Sequence, residues 1–307
     1  MKRFKNSTLA CIRKIFHITP KKIQIPIKCD FTYDGINYII LPNDFLEVKV
    51  VPSVDKYSGD IVIPPYVEFR GRRMNVTKIS RYAFFHCRNL TSINLGNVNQ
   101  IGNRAFEGCI NLKSINFNEV EFIGECAFKG CSSLTSIDFN SVKIIEKKAF
   151  WGCVNIDTLD LKNVFSIGDE CFVGCKKLDS INFRNVEILG RSVFEDCISL
   201  TTLNLKEIES LMGEFVIDDS AKKGVFKNCI NLQSVNLDNV QNINDCAFCG
   251  CPNITIIKTN RKEPPYITPN AFHRYAFLST LYVPKGSKSL YQNHDVWNKF
   301  SIVESDD

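Results

Sequence analysis

Hydrophobic and polar positions recur along this chain at a fixed interval of 22 residues. Residues 101–122 read IGNRAFEGCINLKSINFNEVEF, and residues 123–144 read IGECAFKGCSSLTSIDFNSVKI. The same phrase continues through 145–210, and an earlier copy ends at Val98. A repeat of 20–50 residues is typical of solenoids, in which every copy forms one coil of a stack.

Two residues recur at the same place in every copy and form two columns, one of phenylalanines and one of cysteines. A phenylalanine precedes a cysteine by three residues in each copy, and the cysteines follow one another at 22, 22, 22, 22, 22, 32 and 22 residues. Five equal intervals in two columns are not expected by chance. The columns are Phe84, Phe106, Phe128, Phe150, Phe172, Phe194, Phe226 and Phe248, with Cys87, Cys109, Cys131, Cys153, Cys175, Cys197, Cys229 and Cys251.

The apolar positions of one copy predict how its coil folds. Leu112, Ile115 and Phe117 fit L-x-x-L-x-L, whose last two apolar side chains lie on the same side of a short strand. Val120 and Ile123 turn the chain back across the coil. The Ala, Phe and Cys columns then lie about one helical turn apart, so a short helical turn can direct them inward. One coil cannot bury this face alone, so the pattern predicts stacked coils with a parallel sheet.

The phrase I-G-x-x-A-F-x-G-C-x-x-L-x-S-I-x-F/L-x-x-V resembles the BspA-like class of bacterial leucine-rich repeats over roughly residues 78–260. The segments DGINYIIL and YSGDIVIPPYVEFRGRRMNVTKI resemble that family's β-rich N-terminal cap, and LYVPKGSKSLYQNHDVWNKFSIVE resembles its closing segment. We therefore predict a strand-dominated α/β repeat solenoid. The resemblance implies a right-handed leucine-rich-repeat superhelix, with a parallel sheet on one face, short helical turns on the other, and a binding or adhesion role at the cell surface.

The expected organisation has four parts. Residues 1–27 form a basic arm that we expect to be poorly ordered, and residues 28–77 form the β-rich cap. Residues 78–266 hold about eight repeats with an insertion near 212–221, and residues 267–307 form a C-terminal cap. Thr259 and Lys262 replace apolar residues of earlier copies, which fits a terminal coil.

Charge changes this picture only at the N-terminus. The 307-residue chain has a formal net charge of +5, but eight of its cations and none of its acids lie in residues 1–28. The remainder is slightly acidic, which argues against a specific nucleic-acid surface. The arm fits a solvated leader, or a short basic helix in contact with a membrane surface or nucleic acid. It lacks the continuous apolar stretch of a signal peptide, and no run approaches the ~18 residues of a membrane span.

Fourteen cysteines raise the question of disulfides. Eight occupy one column, where parallel neighbours point alongside one another, so we interpret them as buried thiols that fill small gaps. The segment CAFCGC contains C-x-x-C at Cys246 and Cys249. A zinc site needs a second such pair, so we interpret the motif as a chance product of the repeat, because Cys246 repeats the column of Cys126.

Known catalytic motifs are absent from the sequence: it has no H-E-x-x-H, no G-x-S-x-G, no phosphate-binding glycine-rich loop and no dinucleotide fingerprint. We therefore expect no enzyme, no cofactor and no metal. The strand-end column Asn94, Asn116, Asp138, Asp160, Asn182, Asn204 and Asn236 is uniform, which favours a structural role.

Variation between copies is more informative, and it predicts two surfaces that contact a partner. The alternative for the first is a solvated face without function, and the alternative for the second is a tolerated surface insertion. The first is a charged patch of Lys162, Arg184, Lys206, Asp157, Asp160 and Asp179. The second is a loop in the ten-residue insertion, with Asp218, Asp219, Lys222 and Lys223.

The function predicted from these observations is a non-catalytic adhesion or interaction module that binds a protein or a glycan. The alternative is an intracellular scaffold for protein–protein interaction, with the same physical basis. The family resemblance favours a cell-surface or secreted location, whereas the missing signal stretch favours the cytoplasm. We expect a monomer without a transmembrane segment.

Overall fold

The computed structural model describes residues 28–42, 44–211 and 224–306. Most of these residues form stacked coils built from short parallel strands, which confirms the predicted repeat solenoid. The predicted arm at 1–27 and the predicted contact loop of Asp218, Asp219, Lys222 and Lys223 lie outside the described residues.

One short strand from nearly every coil lies on the front face, defined as the face built by the L-x-x-L-x-L segments. Adjacent strands are parallel and in register, with Ser114 beside Ser92 and Ser180 beside Thr158. The third copy, at residues 133–138, forms no regular strand in this described stretch. The front strands are Gly59–Val62, Leu90–Asn94, Ser114–Asn116, Thr158–Asp160, Ser180–Asn182, Thr202–Asn204, Ser234–Asn236, Ile256–Lys258, Thr280–Pro284 and Ser301–Ser305.

A second set of parallel strands forms the side face, where the chain turns back. In these two-residue strands the second residue is buried and the first faces outward, as the period of two requires. They are Gln100–Ile101, Phe122–Ile123, Ile144–Ile145, Ser166–Ile167, Ile188–Leu189, Ser210–Leu211, Asn242–Ile243 and Tyr266–Ile267.

The N-terminal cap extends this side sheet. Its longest strand, Arg72–Ile79, pairs in parallel with Gln100–Ile101 of the first repeat. The same strand pairs antiparallel with Tyr66–Phe69 and in parallel with Asp44–Val50. The remaining cap strands are Phe31–Tyr33 and Ile36–Leu41. The cap therefore covers the apolar end of the first coil, and main-chain hydrogen bonds join it to that coil.

The third face, which we call the turn face, differs from the expected helical turns. In the copy at 104–109, Arg104 and Gly108 have φ angles of 57° and 75°, in the left-handed region. A left-handed residue interrupts a right-handed helix, so the chain forms hydrogen-bonded turns instead. Backbone N–H groups that a helix would use internally bond to the next coil instead: Phe106 N donates to the Ala127 carbonyl at 2.7 Å. The helices of the described residues lie in the closing segment, at Arg274–Leu278, Lys288–Gln292 and Trp297–Lys299.

The phenylalanine column forms a continuous stack of rings through the core. Consecutive rings from Phe84 to Phe272 have centroids 4.8 to 5.6 Å apart and planes within 14° of parallel. These separations lie in the range preferred for stacked aromatic pairs. The predicted buried column is confirmed, and it extends one ring beyond the last repeat, to Phe272.

The cysteine column does more than fill gaps. The eight ladder cysteines are free and buried, as predicted. Each thiol from the second copy onward also approaches the phenylalanine carbonyl of the preceding coil, as in Cys109 Sγ to Phe84 O at 3.0 Å and Cys131 Sγ to Phe106 O at 3.1 Å. The S–H is a weak donor, and it gives this carbonyl a second partner besides the backbone N–H of its own coil, as at Phe106 O, which also accepts from Cys109 N at 3.1 Å. Burial raises the pKa of Cys153 to about 12, so this thiol stays protonated.

The interpretation of the Thr259 copy as a terminal coil is wrong. Its strand pairs in parallel with Thr280–Pro284, which in turn pairs with Ser301–Ser305. Thr259 is buried, and the indole Nε1 of the buried Trp297 donates to the Pro265 carbonyl at 3.0 Å. The closing segment therefore adds two strands to the front face, although it has lost the 22-residue phrase.

Loss of one ring from the stack should be costly. Phe150→Ala removes a fully buried ring that stacks on Phe128 and Phe172, and we expect the free energy of unfolding to fall by about 3–5 kcal/mol. Phe165→Ala is the matched control, because its ring is 42% exposed on the side face. Urea denaturation followed by circular dichroism measures both, and equal losses would contradict the stacked core.

The eight ladder thiols should be unreactive in the folded protein. The ladder cysteines are buried and Cys29 is exposed, so iodoacetamide should label Cys29 and spare the ladder until guanidinium is added. Peptide mapping by mass spectrometry measures labelling at each cysteine. Native-state labelling of ladder cysteines as fast as that of Cys29 would show that the column is not interior.

Candidate functional site

The asparagine column of the front face is committed to turns. In six copies the side-chain Oδ1 accepts a hydrogen bond from the backbone N–H two residues later, at 2.9 to 3.4 Å. Asn116 to Asn118 and Asn204 to Lys206 are examples. This local bond is the Asx turn that favours asparagine and aspartate at strand ends. The uniform column therefore has a structural role.

Other polar side chains at the edges of the front face hold adjacent coils together. The Asn155 amide donates to the Ser132 carbonyl at 2.7 Å, and the Asn163 amide donates to the Asn140 carbonyl at 2.9 Å. Such bonds satisfy carbonyls that the short strands leave without a partner. The side chains left for a ligand are those that depart from these columns.

Two charges of the predicted patch neutralise one another. Lys162 Nζ lies 3.0 Å from Asp160 Oδ2, and Asn182 Nδ2 donates to Asp160 Oδ1 at 2.9 Å. Partial burial opposes ionisation of Asp160, but the hydrogen bond and the charge of Lys162 outweigh it and lower its pKa below the ordinary value. Lys162 is therefore less available to a partner than its sequence position suggested.

The other two cations of the patch remain available. Arg184 and Lys206 are exposed, and among the described residues neither forms an ion pair. Together with Asn182, Asn204 and Glu207 they line an open recess on the front face. The structure thus brings Arg184 and Lys206 to one place and gives Lys162 a separate partner.

The remaining acids of the patch lie where the strands begin. Asp157 and Asp179 are exposed on adjacent coils, and the backbone N–H of Asp179 donates to the Asp157 carbonyl at 2.9 Å. Lys162, Arg184 and Lys206 follow the ends of their strands. The patch consequently has an acidic edge and a basic edge, separated by the width of the sheet.

A second recess, which the sequence did not indicate, lies near the C-terminal end of the front face. Asn236, Asp238, Lys258, Asn260 and Tyr282 line it. The available signal was the lysine at position 258, where earlier copies have asparagine or aspartate. Tyr282 belongs to the closing segment, where no periodicity assigns it to the column.

The interpretation of C-x-x-C as a chance product of the repeat is incomplete. Cys246 and Cys249 form a disulfide, with Cα atoms 4.5 Å apart on one turn. In the second copy Arg104 and Glu107 hold the same two columns and form an ion pair at 2.8 Å. The disulfide therefore links the same two positions of the turn that an ion pair links in the second copy. No cluster of potential metal ligands occurs among residues 28–42, 44–211 and 224–306.

The repeat geometry agrees with a known family. The model of the BspA-type leucine-rich repeat region matches residues 72–161, 99–222 and 212–294, with six copies. The chain belongs to the BspA-type leucine-rich repeat family. The BspA-type repeats thus account for most of the chain, and they include the charged patch and much of the second recess.

Two solved structures are similar to this BspA-type chain. A leucine-rich repeat protein from Bacteroides ovatus is 20% identical, with a TM-score of 0.53, over 90% of this chain and 100% of that one. A leucine-rich cell surface protein from Faecalibacterium prausnitzii is 20% identical, with a TM-score of 0.52, over 91% of this chain and 94% of that one. At this identity the likeness shows the fold alone. No curated protein matches the sequence.

In the described part of the chain, none of the helices has the length and apolar character needed to cross a bilayer.

Proposed function

We propose that this chain is a non-catalytic adhesion or interaction module whose front face binds a partner protein through complementary charge. The observation that carries the proposal is the pair Arg184 and Lys206, exposed on neighbouring coils without an acidic partner among the described residues. The nearby Lys162 is paired with Asp160, so Arg184 and Lys206 are the two cations of the charged patch that are left for a partner.

The chemistry of the recess favours an acidic partner surface. Two like charges about 5 Å apart in water repel by under ~1 kcal/mol, and a carboxylate placed between them would remove that repulsion. The arginine also offers a planar guanidinium that can bind a carboxylate through two hydrogen bonds. Charge pairs of this kind raise the association rate and make it sensitive to salt.

The open front face favours binding over catalysis. Catalytic groups are found in enclosed clefts, where burial changes proton affinities. Arg184 and Lys206 instead face solvent on a regular sheet. The family also supports an interaction role, because its repeats provide an extended surface that can vary without disturbing the core.

We further propose that the chain acts as a monomer displayed at the cell surface. One similar structure is described as a cell surface protein, and the Cys246–Cys249 disulfide suits an oxidising compartment. The eight free ladder thiols favour the alternative, an intracellular scaffold that uses the same front face. A glycan is the other ligand class predicted from the sequence.

Removal of the two available cations should weaken partner binding. Proteins retained by the immobilised chain from a cell-surface extract are identified by mass spectrometry, and their affinities are measured by surface plasmon resonance. We expect Arg184→Ser/Lys206→Ser to weaken a genuine partner by about 3- to 30-fold, and added salt to weaken the wild type similarly.

The matched control is Lys143→Ser/Lys147→Ser, which removes the same charge from the exposed side face. It should bind the partner like the wild type. Equal affinities for all three proteins would contradict the proposed surface, and equal losses in both double variants would show a general effect of net charge.

A further inference from the structure

The asparagine column of the front face changes its chemistry near the C-terminal end. The parallel register places Lys258 beside Asn236, and Tyr282 beside Lys258. The next residue in this column is Val303, which is 41% exposed. A lysine, a tyrosine and a valine thus follow seven copies of asparagine or aspartate.

This change is possible because other atoms make the turn in these coils. Thr259 Oγ1 accepts the Arg261 backbone N–H at 3.2 Å. Asp238 Oδ1, on the preceding coil, accepts the Asn260 backbone N–H at 3.0 Å. The side chain of Lys258 is therefore released from the role that the column has elsewhere. At Tyr282 that turn cannot form, because Pro284, two residues later, has no backbone N–H.

The recess around them has a fixed arrangement of charge. Asp238 Oδ2 accepts a hydrogen bond from the Asn236 amide at 3.0 Å, and Asp238 Oδ1 is occupied by the Asn260 backbone N–H. Lys258 Nζ lies 5.8 Å from the centroid of the half-buried Tyr282 ring, a cation–π contact that orients both side chains. One carboxylate and one ammonium balance each other, so the recess offers polar groups with almost no net charge.

Its ligand must match this combination of groups. An anion would face Asp238, and a cation would face Lys258. A neutral sugar ring avoids both penalties, because it has an apolar C–H face that can pack on an aromatic ring and a rim of hydroxyls for amide, carboxylate and ammonium partners. Tyr282 supplies the apolar floor, with Val303 beside it in the same column, and Asp238, Lys258 and Asn260 supply polar groups of the rim.

We propose that the recess at Asp238, Lys258 and Tyr282 is a subsite for a neutral hexose unit of a glycan. This site rests on the proposed binding function and deepens it, by giving the front face a saccharide site separate from the cationic recess at Arg184 and Lys206. The two recesses lie on neighbouring coils but share no lining residue: Arg184 and Lys206 line the first, and Asp238, Lys258 and Tyr282 line the second.

The test uses a panel of neutral hexose oligosaccharides, namely cellohexaose, maltohexaose and mannohexaose, titrated into the full chain and followed by isothermal calorimetry. We expect at least one of them to bind, and Tyr282→Ala to weaken that saccharide about tenfold by removing the stacking surface. Tyr266→Ala is the matched control, because Tyr266 is 56% exposed on the side face and should leave the affinity unchanged.

A second variant guards against a folding defect in Tyr282→Ala. Lys258→Met exchanges an exposed ammonium for an apolar group of similar length, should leave thermal unfolding unchanged, and should also weaken the saccharide severalfold. If no member of the panel binds, or if Tyr282→Ala and Lys258→Met both bind like the wild type, the proposed subsite is wrong.

The Arg184→Ser/Lys206→Ser variant separates this proposal from the protein-binding function. It should bind the saccharide like the wild type while it loses its protein partner. Protein binding that depends on Arg184 and Lys206, without any saccharide binding, would refute only the hexose subsite. Saccharide binding that is lost in this variant and kept in Tyr282→Ala would also refute it.

Discussion

The parallel stacking of one phenylalanine per coil is the constraint on which the rest of this structure depends. A ring that must lie flat on its neighbours at about 5 Å requires every coil to bring its phenylalanine back to the same place, after 22 residues in most coils and after 32 in the coil with the insertion. The front strands, the side strands and the turns then fall into register, because each is a fixed number of residues from that ring. The cysteine three residues later uses the same register to reach the phenylalanine carbonyl of the preceding coil.

The stack also determines where a ligand can bind. A short coil leaves many main-chain groups without partners, and the repeated asparagines satisfy them through Asx turns and bonds between coils. Those side chains can change only where other atoms take over their hydrogen bonds, as Asp238 and Thr259 do beside Lys258. Positions with no such duty are free to vary, and on the front face they include Arg184, Lys206, Lys258 and Tyr282. Sequence variation between the copies of a solenoid therefore indicates ligand contacts only after the positions with structural hydrogen bonds have been set aside.

Much of the fold follows from periodicity, because the phenylalanine and cysteine columns are local patterns repeated many times. The left-handed turn positions do not, since Arg104, Cys126 and Lys148 share a backbone conformation and no side-chain chemistry. The cations of the charged patch were predicted from one column, but the pairing of Lys162 with Asp160 depends on the side-chain conformations of the folded sheet. The recess at Tyr282 could not be predicted, because it depends on a strand in the closing segment that has lost the repeat phrase.

Hydrogen exchange of the phenylalanine amides tests the stacked coil most directly. The N–H of Phe106, Phe128 and Phe150 each donate to a carbonyl of the following coil, at 2.7 to 3.0 Å, beneath a buried ring. Mass spectrometry with single-residue resolution should show these amides among the slowest to exchange, with protection that recurs every 22 residues. Fast exchange at these amides, or protection without that period, would contradict a core built from stacked phenylalanine coils.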